Sequence, residues 1–383
     1  MAAVERALVV GGGIGGLGAA TALAQRGIDV EIVELKPDAE VYGVGINQPG
    51  NSLRALDAIG VLDEVLAVGF QFDGWDFHDA DGNLVVGVDT ILGDERIPHN
   101  NGLARRQLHE ILLGAADRAG VRISYGTTFT ELRNDGDVAE VELSDGREGT
   151  YDLVAGFDGI RSPTREQLFG EGARSTYTGY VIWRVTIPRP PEVTRGAIYQ
   201  SVGVKAGYIP LSDDSMYLFN VTPEPKAVRV EGDEAVEALR GRLEPFGGIV
   251  GDIRDGLKPG DDVVYSPLHE VMLPLPWFSG RIVVGGDAVH ACAPHLTQGA
   301  AMALEDGVVL ADELDGADDV EAALQRYGER RFPRAKLVQD ASHGILEQEM
   351  SITAETLPFA LQGMREHLPE NMAGIEGVLA QPA

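Results

Sequence analysis

The stretch Ala7–Glu34, ALVVGGGIGGLGAATALAQRGIDVEIVE, decides the fold. An apolar run, Ala7 to Val10, meets the glycine-dense segment Gly11–Gly16; helical spacing follows from Leu17 to Arg26, and Gly27 ends it. Asp29 to Glu34 then alternates as a second strand, so one βαβ crossover occupies about 30 residues. In that context Gly11-Gly12-Gly13-Ile14-Gly15-Gly16 satisfies G-x-G-x-x-G. Gly11 permits a tight turn, Gly13 lets the backbone approach a pyrophosphate, and Gly16 allows close helix–strand packing. Ile14 and Gly15 open the helix whose N-terminus supplies N–H donors. Glu34, with Leu35 beside it, ends the second strand where a ribose 2′-hydroxyl would be bound. An acid there repels a 2′-phosphate, which points to FAD or NAD rather than NADP.

With 383 residues the chain has room for two to three domains, and a hydrophobic content of 44% can give each a core. Lys+Arg 31 against Asp+Glu 60 leaves a net charge of -29, which argues against nucleic acid and anionic membrane surfaces as partners. No apolar run reaches the roughly 18 residues of a membrane span. One cysteine, Cys292, builds neither an intrachain disulfide nor a thiolate metal site, which suits a cytoplasmic protein, and no metal is expected.

Further along, Phe70 to Asn101 breaks into short alternating pieces with turn signals at Asp73-Gly74 and Asp81-Gly82. A helix is predicted over Arg105–Arg118, strands over 121–125 and 138–143, and a buried strand over 152–156. Alternation returns from Tyr177 to Leu268, with strands over 181–187, 197–201, 203–209 and 216–221 and one helix over 234–243. Arg281–Gly285 reads as a last buried strand, leading to a helix over 298–314. The expected fold is α/β: a Rossmann-like FAD-binding domain (1–69, 100–172 and 273–320), interrupted by a mostly antiparallel β-sheet substrate domain (70–99 and 173–272). A helical C-terminal region, 321–383, completes it.

Two later segments separate FAD from NAD. Asp158-Gly159-Ile160-Arg161-Ser162-Pro163-Thr164-Arg165 has the pattern D-G-x-x-S-x-x-R. Gly286-Asp287-Ala288-Val289-His290 is followed by Pro294, Gln298-Gly299 and Glu305-Asp306. Together with the first glycine loop, and in the same order, these segments resemble the single-component FAD-dependent aromatic hydroxylases, the p-hydroxybenzoate hydroxylase-like flavoprotein monooxygenases. The resemblance spans nearly the whole chain. It implies that Arg105 reaches the FAD pyrophosphate region, that Phe129 follows a strand near the adenine, and that the Asp158–Arg165 segment serves both FAD and a transiently docked NADH or NADPH. On physical grounds, Asp287 at a strand end can accept from ribityl hydroxyls. A helix opening at Gln298-Gly299-Ala300 aims its positive end at the pyrimidine edge, where reduced flavin is negative. Two positions depart from the family pattern: Thr297 where glycine is frequent and Ala301 where asparagine is frequent.

The implied activity consumes NAD(P)H and O2 and hydroxylates a small aromatic (phenolic or heteroaromatic) substrate through a flavin hydroperoxide. Lys205, one of only five lysines, sits on the strand expected over the flavin and could anchor a carboxylate or phenolate, or lie on an exposed face. Tyr217 on the next strand is either a ligand or core. Pro294 and His295 belong to the loop before the flavin-facing helix; His290 reads as structural, His269 as a base or a core residue, and Trp75 and Trp183 as possible ring-site walls. Rival readings are an FAD-dependent reductase, a flavin redox sensor, and a halogenase. For the last, Trp183-Arg184-Val185-Thr186-Ile187-Pro188 lacks the second tryptophan that such enzymes carry. A monomer or a homodimer fits the sequence equally.

Overall fold

A computed structural model describes residues 4–39 and 43–383. The quoted stretch forms the strand Arg6–Val10, the helix Ile14–Gln25 and the strand Asp29–Glu34. These strands are the centre of a six-stranded sheet. Its order is Phe278–Ser279, Ile282–Val284, Leu153–Gly156, Arg6–Val10, Asp29–Glu34, Arg122–Tyr125. All neighbours are parallel except the edge strand Phe278–Ser279. The strands Arg6–Val10, Leu153–Gly156 and Ile282–Val284 are apolar on both faces apart from the exposed Arg6, as a sheet covered on both sides requires, whereas Asp29–Glu34 carries the buried Glu31, paired with Arg147.

A second sheet has seven strands in the order Val264–Glu270, Thr176–Pro188, Ser215–Pro223, Lys205–Pro210, Gly196–Gln200, Gly74–His78, Leu84–Asp89. Only Gly196–Gln200 and Gly74–His78 run parallel. Side-chain parity divides its two faces. Trp183, Val185 and Leu218 turn toward the helices Gly232–Arg242 and Gly248–Gly256, whereas Ile182, Tyr217 and Phe219 turn the other way. The second of these helices lies in a stretch without a predicted element. Its Gly248-Ile249-Val250-Gly251 start has low helix propensity, and the fully buried Val250 holds it by packing. A three-stranded sheet of Gly45–Pro49, Asn100–Ala104 and Phe70–Phe72 stands apart from the seven-stranded one, so Phe70–Phe72 does not join the strands with which it was grouped. Among the described residues no helix is long and apolar enough to cross a membrane.

The C-terminal helices Val320–Met350 and Leu357–Leu379 are joined to the helix Gly299–Leu314 by buried charge. Asp306 accepts from the Gly286 amide (2.7 Å), meets His290 Nε2 (2.6 Å) and accepts from Arg331 Nε (2.7 Å). Glu305 accepts from Arg331 (2.7 Å), from Arg334 (2.7 and 2.8 Å) and from Asn51 (2.9 Å). Burial works to raise the Asp306 carboxyl, but His290 and Arg331 outweigh it and hold it at about 2. His290 is structural, as expected, because its ring is spent on this network.

Replacing Asp306 with Asn leaves Arg331 short of a buried countercharge, and chemical denaturation of the Asp306→Asn variant should show a loss of about 3 kcal/mol or more. A loss below about 1 kcal/mol would show the network to be dispensable. Because the Asp306 carboxyl is held below the ordinary 3.8 of an aspartate, its stabilisation is complete above that value. Parent stability should therefore fall as pH drops from about 4 toward 2.

Candidate active site

At the first glycine loop a Cβ on Gly16 would stand 1.9 Å from the Gly11 carbonyl oxygen, so helix and strand meet only over glycine. A Cβ on Gly13 would meet nothing within 4 Å. That opening lies at the start of the helix Ile14–Gln25, which has no side-chain cap and no acid in its first turn. Its first N–H groups are therefore free to bind an anion. Glu34 accepts from the Gly12 amide (2.7 Å) and the Lys36 amide (2.9 Å), which fixes its carboxylate beside the loop. Leu35 next to it is 70% exposed, and Tyr125, paired with Glu34 across the sheet, is also exposed. Together they offer an apolar platform of the kind an adenine needs. The Phe129 ring packs with Leu8, Val10 and Val33 in the core, so no side-chain contact with a ligand remains to it. Tyr125 escaped the sequence reading, although an aromatic residue at a strand end beside Glu34 was a usable signal.

The Asp158–Arg165 segment is bolted to the later corner. Asp158 accepts from the Thr164 amide (2.9 Å) and Ser162 Oγ from the Arg165 amide (2.9 Å), capping the short helix Pro163–Phe169. Burial pushes the Asp158 carboxyl up, and its Oδ1 is buried without a hydrogen-bond partner. The Arg165 side chain donates to the carbonyls of Ala288 (3.1 Å) and Ile160 (2.9 Å), so it joins the two motifs. Gly286 turns the corner at φ 60, and Asp287 projects exposed from it. Gly299 begins its helix with no side-chain cap and no acid in the first turn; its Cβ position is 4.0 Å from Asp287 Oδ1 and Ala300 follows it, half-buried. The Gln298 side chain is occupied by a reciprocal pair with Asn51 (2.8 and 3.1 Å), so only its backbone is available.

Arg105 lies between these corners: burial lowers its guanidinium, while Asp287 and Tyr217 act to raise it. Arg184, which carried no expectation, joins the same group. It donates to Ser266 Oγ (3.0 Å), and its Nε is buried without a partner. The uncapped helix starts, the open Gly13 and these orphaned polar atoms fit a dinucleotide with an anionic bridge and a polar ring edge.

Beside that cleft is a cavity of about 640 Å³. Trp75, Phe77, Ile209, Tyr217 and Phe219 of the seven-stranded sheet form one wall. The Pro294–Gln298 loop forms another, and Leu368, Met372 and Ile375 of the last helix roof it. Burial pushes the Tyr217 phenol up to about 12 against the opposing influence of Arg184 and Arg105, so it stays a hydrogen-bond donor. Lys205 is in the cavity wall and not on an exposed face, and its Nζ is 2.6 Å from Glu349 Oε2. The free anchor for an anion is thus already occupied. His295 Nε2 is 3.3 Å from the same Glu349 oxygen. Burial, then the Lys205 charge, lower the His295 pKa and keep its ring neutral. His269 lies outside the cavity, its ring 5.3 Å from that of Tyr177, and Trp183 faces the opposite side of the sheet. Thr297 is at φ 54, the one described non-glycine residue in the left-handed region, which explains why glycine suits this place.

The FAD binding domain family matches residues 5–342, and the chain belongs to it. It is an FAD-dependent monooxygenase of the aromatic hydroxylase type. Over 349 residues, 91% of this chain and 94% of the other, it is 34% identical to YetM of Bacillus subtilis (strain 168), a protein provisionally named an FAD-dependent monooxygenase. It is 32% identical over 311 residues, 79% of each chain, to the 2-heptyl-3-hydroxy-4(1H)-quinolone synthase of Pseudomonas aeruginosa (strain UCBPP-PA14). The fold matches that of Klebsiella pneumoniae HpxO complexed with FAD and uric acid, at a TM-score of 0.88 and 23% identity over 99% of this chain and 97% of the other.

Two glycines separate folding from cofactor binding. Gly13→Val should keep the thermal stability of the apoprotein while weakening FAD binding at least about tenfold, because a side chain would stand where the phosphate approaches. Gly16→Ala should fail to fold, because its Cβ has no room; equal behaviour of the two variants in melting and FAD titration would refute this division. Thr297→Gly should raise the unfolding free energy by about 1 kcal/mol through relief of left-handed strain. A lower melting temperature would contradict that.

Proposed function

We propose that this enzyme hydroxylates a neutral, predominantly apolar aromatic or heteroaromatic ring, one larger than a monocyclic acid. The observation that carries this reading is the Lys205–Glu349 pair: it leaves no free cation on a large cavity whose other walls are mostly apolar, and the one further buried carboxyl there, Glu376, is pushed up by burial and accepts from the Ile91 amide. The relative named for a heptyl-bearing quinolone favours the same class. Bound FAD supplies hydride acceptance from NADH or NADPH and the activation of O2. In this reading the Arg6–Val10 sheet carries FAD and the Thr176–Pro188 sheet faces the substrate. We assign 1–69, 100–172 and 273–320 to the first unit and 70–99 and 173–272 to the second, except that Phe70–Phe72 pairs with Asn100–Ala104 and goes with the first.

The side chains then have separate tasks. Gly11, Gly13, Gly15 and Gly16, with Ile14 at the helix start, hold the pyrophosphate, and Arg105 adds positive charge near it. Glu34 takes the ribose hydroxyls, Leu35 and the backbone leading to Phe129 border the adenine, and Asp287 takes the ribityl hydroxyls. The free N–H groups at Gln298, Gly299 and Ala300 stabilise negative charge at the ring edge they face. Asp158 holds the segment on which NAD(P)H docks. Tyr217, protonated at neutral pH, donates to an oxygen on the substrate ring. Trp75, Phe77 and Phe219 hold the ring by its faces and exclude water. The Pro294–His295 backbone and the neutral His295 ring complete the polar rim, and the single Cys292 suits a cytoplasmic enzyme, monomer or homodimer.

The test compares 2-heptyl-4(1H)-quinolone with 3-hydroxybenzoate on the FAD-loaded enzyme. The neutral compound should stimulate NAD(P)H oxidation and yield a product heavier by one oxygen in mass spectrometry. Oxygenated product from the acid alone would sink the proposed substrate class.

A further inference from the structure

We propose that Glu349, near the end of the helix Val320–Met350, determines substrate charge: by cancelling Lys205 it bars carboxylate-bearing rings from the cavity. The inference rests on the neutral-substrate reading above and assigns that selectivity to one side chain. Lys205 comes from a strand of the seven-stranded sheet and Glu349 from a C-terminal helix, and the two meet inside the cavity at 2.6 Å. Both side chains are almost wholly shielded from solvent, so their charges are screened only by each other. His295, neutral and 3.3 Å from the same carboxylate oxygen, adds no charge.

The chemistry of exclusion follows. A ring carrying a carboxylate would have to compete with Glu349 for the one cavity ammonium, and it would bring a second negative charge beside it. A neutral ring meets no such conflict. Glu349 is held where it must be by its backbone: the Glu349 carbonyl lies 3.5 Å from the Gln200 side-chain nitrogen, on the strand adjacent to Lys205. The arrangement is therefore a filled anion site, closed by a residue of the protein itself.

The experiment measures the affinities of FAD-loaded enzyme for 3-hydroxybenzoate and for 3-hydroxybenzamide, an uncharged molecule of the same shape, by calorimetric titration. Parent enzyme should prefer the amide. In Glu349→Gln the acid-over-amide ratio should rise about tenfold to a hundredfold, the range of one charge-assisted hydrogen bond. The rise should vanish in the double variant with Lys205→Met. A ratio unchanged in Glu349→Gln, with the amide still bound, overturns the role of Glu349 and leaves the neutral-substrate reading standing. A parent enzyme that already prefers the acid overturns that reading itself. Should Glu349→Gln fail to fold, Lys205→Met carries the test, because an unpaired Glu349 should then favour 3-hydroxybenzylamine over the amide. The absence of that preference refutes the proposal equally.

Discussion

Arg331 has no exposed side-chain surface and is charged, which is tolerable only where the surrounding groups replace water completely. Asp306 and Glu305, consecutive on one helix, do so from two sides. The other atoms of these two carboxylates reach outward. Asp306 fixes the Gly286 amide and His290, and thereby the corner from which Asp287 projects. Glu305 fixes Asn51, which in turn occupies the Gln298 side chain at the start of the Gly299–Leu314 helix. Arg334, bound to the same Glu305, donates to the carbonyls of Val378 and Leu379 and so ties down the C-terminal end of the cavity roof. A single buried ion cluster therefore sets the cofactor corner, the direction of a helix dipole and the position of the roof.

The substrate cavity repeats the rule on a smaller scale. Lys205 and Glu349 are both desolvated, and neither could remain charged there alone. Burial lowers the lysine and Glu349 opposes that fall without cancelling it, while the carboxylate is held low by Lys205 and His295 despite its burial. Because the two charges are paired with each other, selectivity passes to shape and apolar contact, with Tyr217 as one fixed donor.

What the sequence disclosed was local or close in register. The Gly11–Gly16 loop, its helix and Glu34 are contiguous, and their glycines answer local demands: a positive φ at Gly11, close helix–strand packing at Gly16 and an open approach at Gly13. The Asp158 and Gly286 segments could likewise be read as strand ends entering helices. Groups joined across distant elements were illegible. Nothing near Lys205 in the chain announces Glu349, and nothing near Glu305 announces Arg334 or Asn51. Trp183 was grouped with Trp75 because side-chain parity cannot be assigned to a face until one strand of the sheet is anchored; Phe219 and Leu218 supply that anchor. Thr297 could be recognised as a departure from pattern, but its left-handed backbone could not.

The central claim is that one cleft brings the open Gly13 loop and the free start of the Gly299 helix to the same dinucleotide, with the cavity of the Lys205–Glu349 pair at its ring end. A crystal structure of the FAD complex tests this most directly. The account predicts the pyrophosphate over Gly13 and the isoalloxazine between Gly299 and the wall that holds Trp75 and Tyr217. A flavin ring bound away from that wall, or a pyrophosphate that avoids the Gly13 opening, would contradict it.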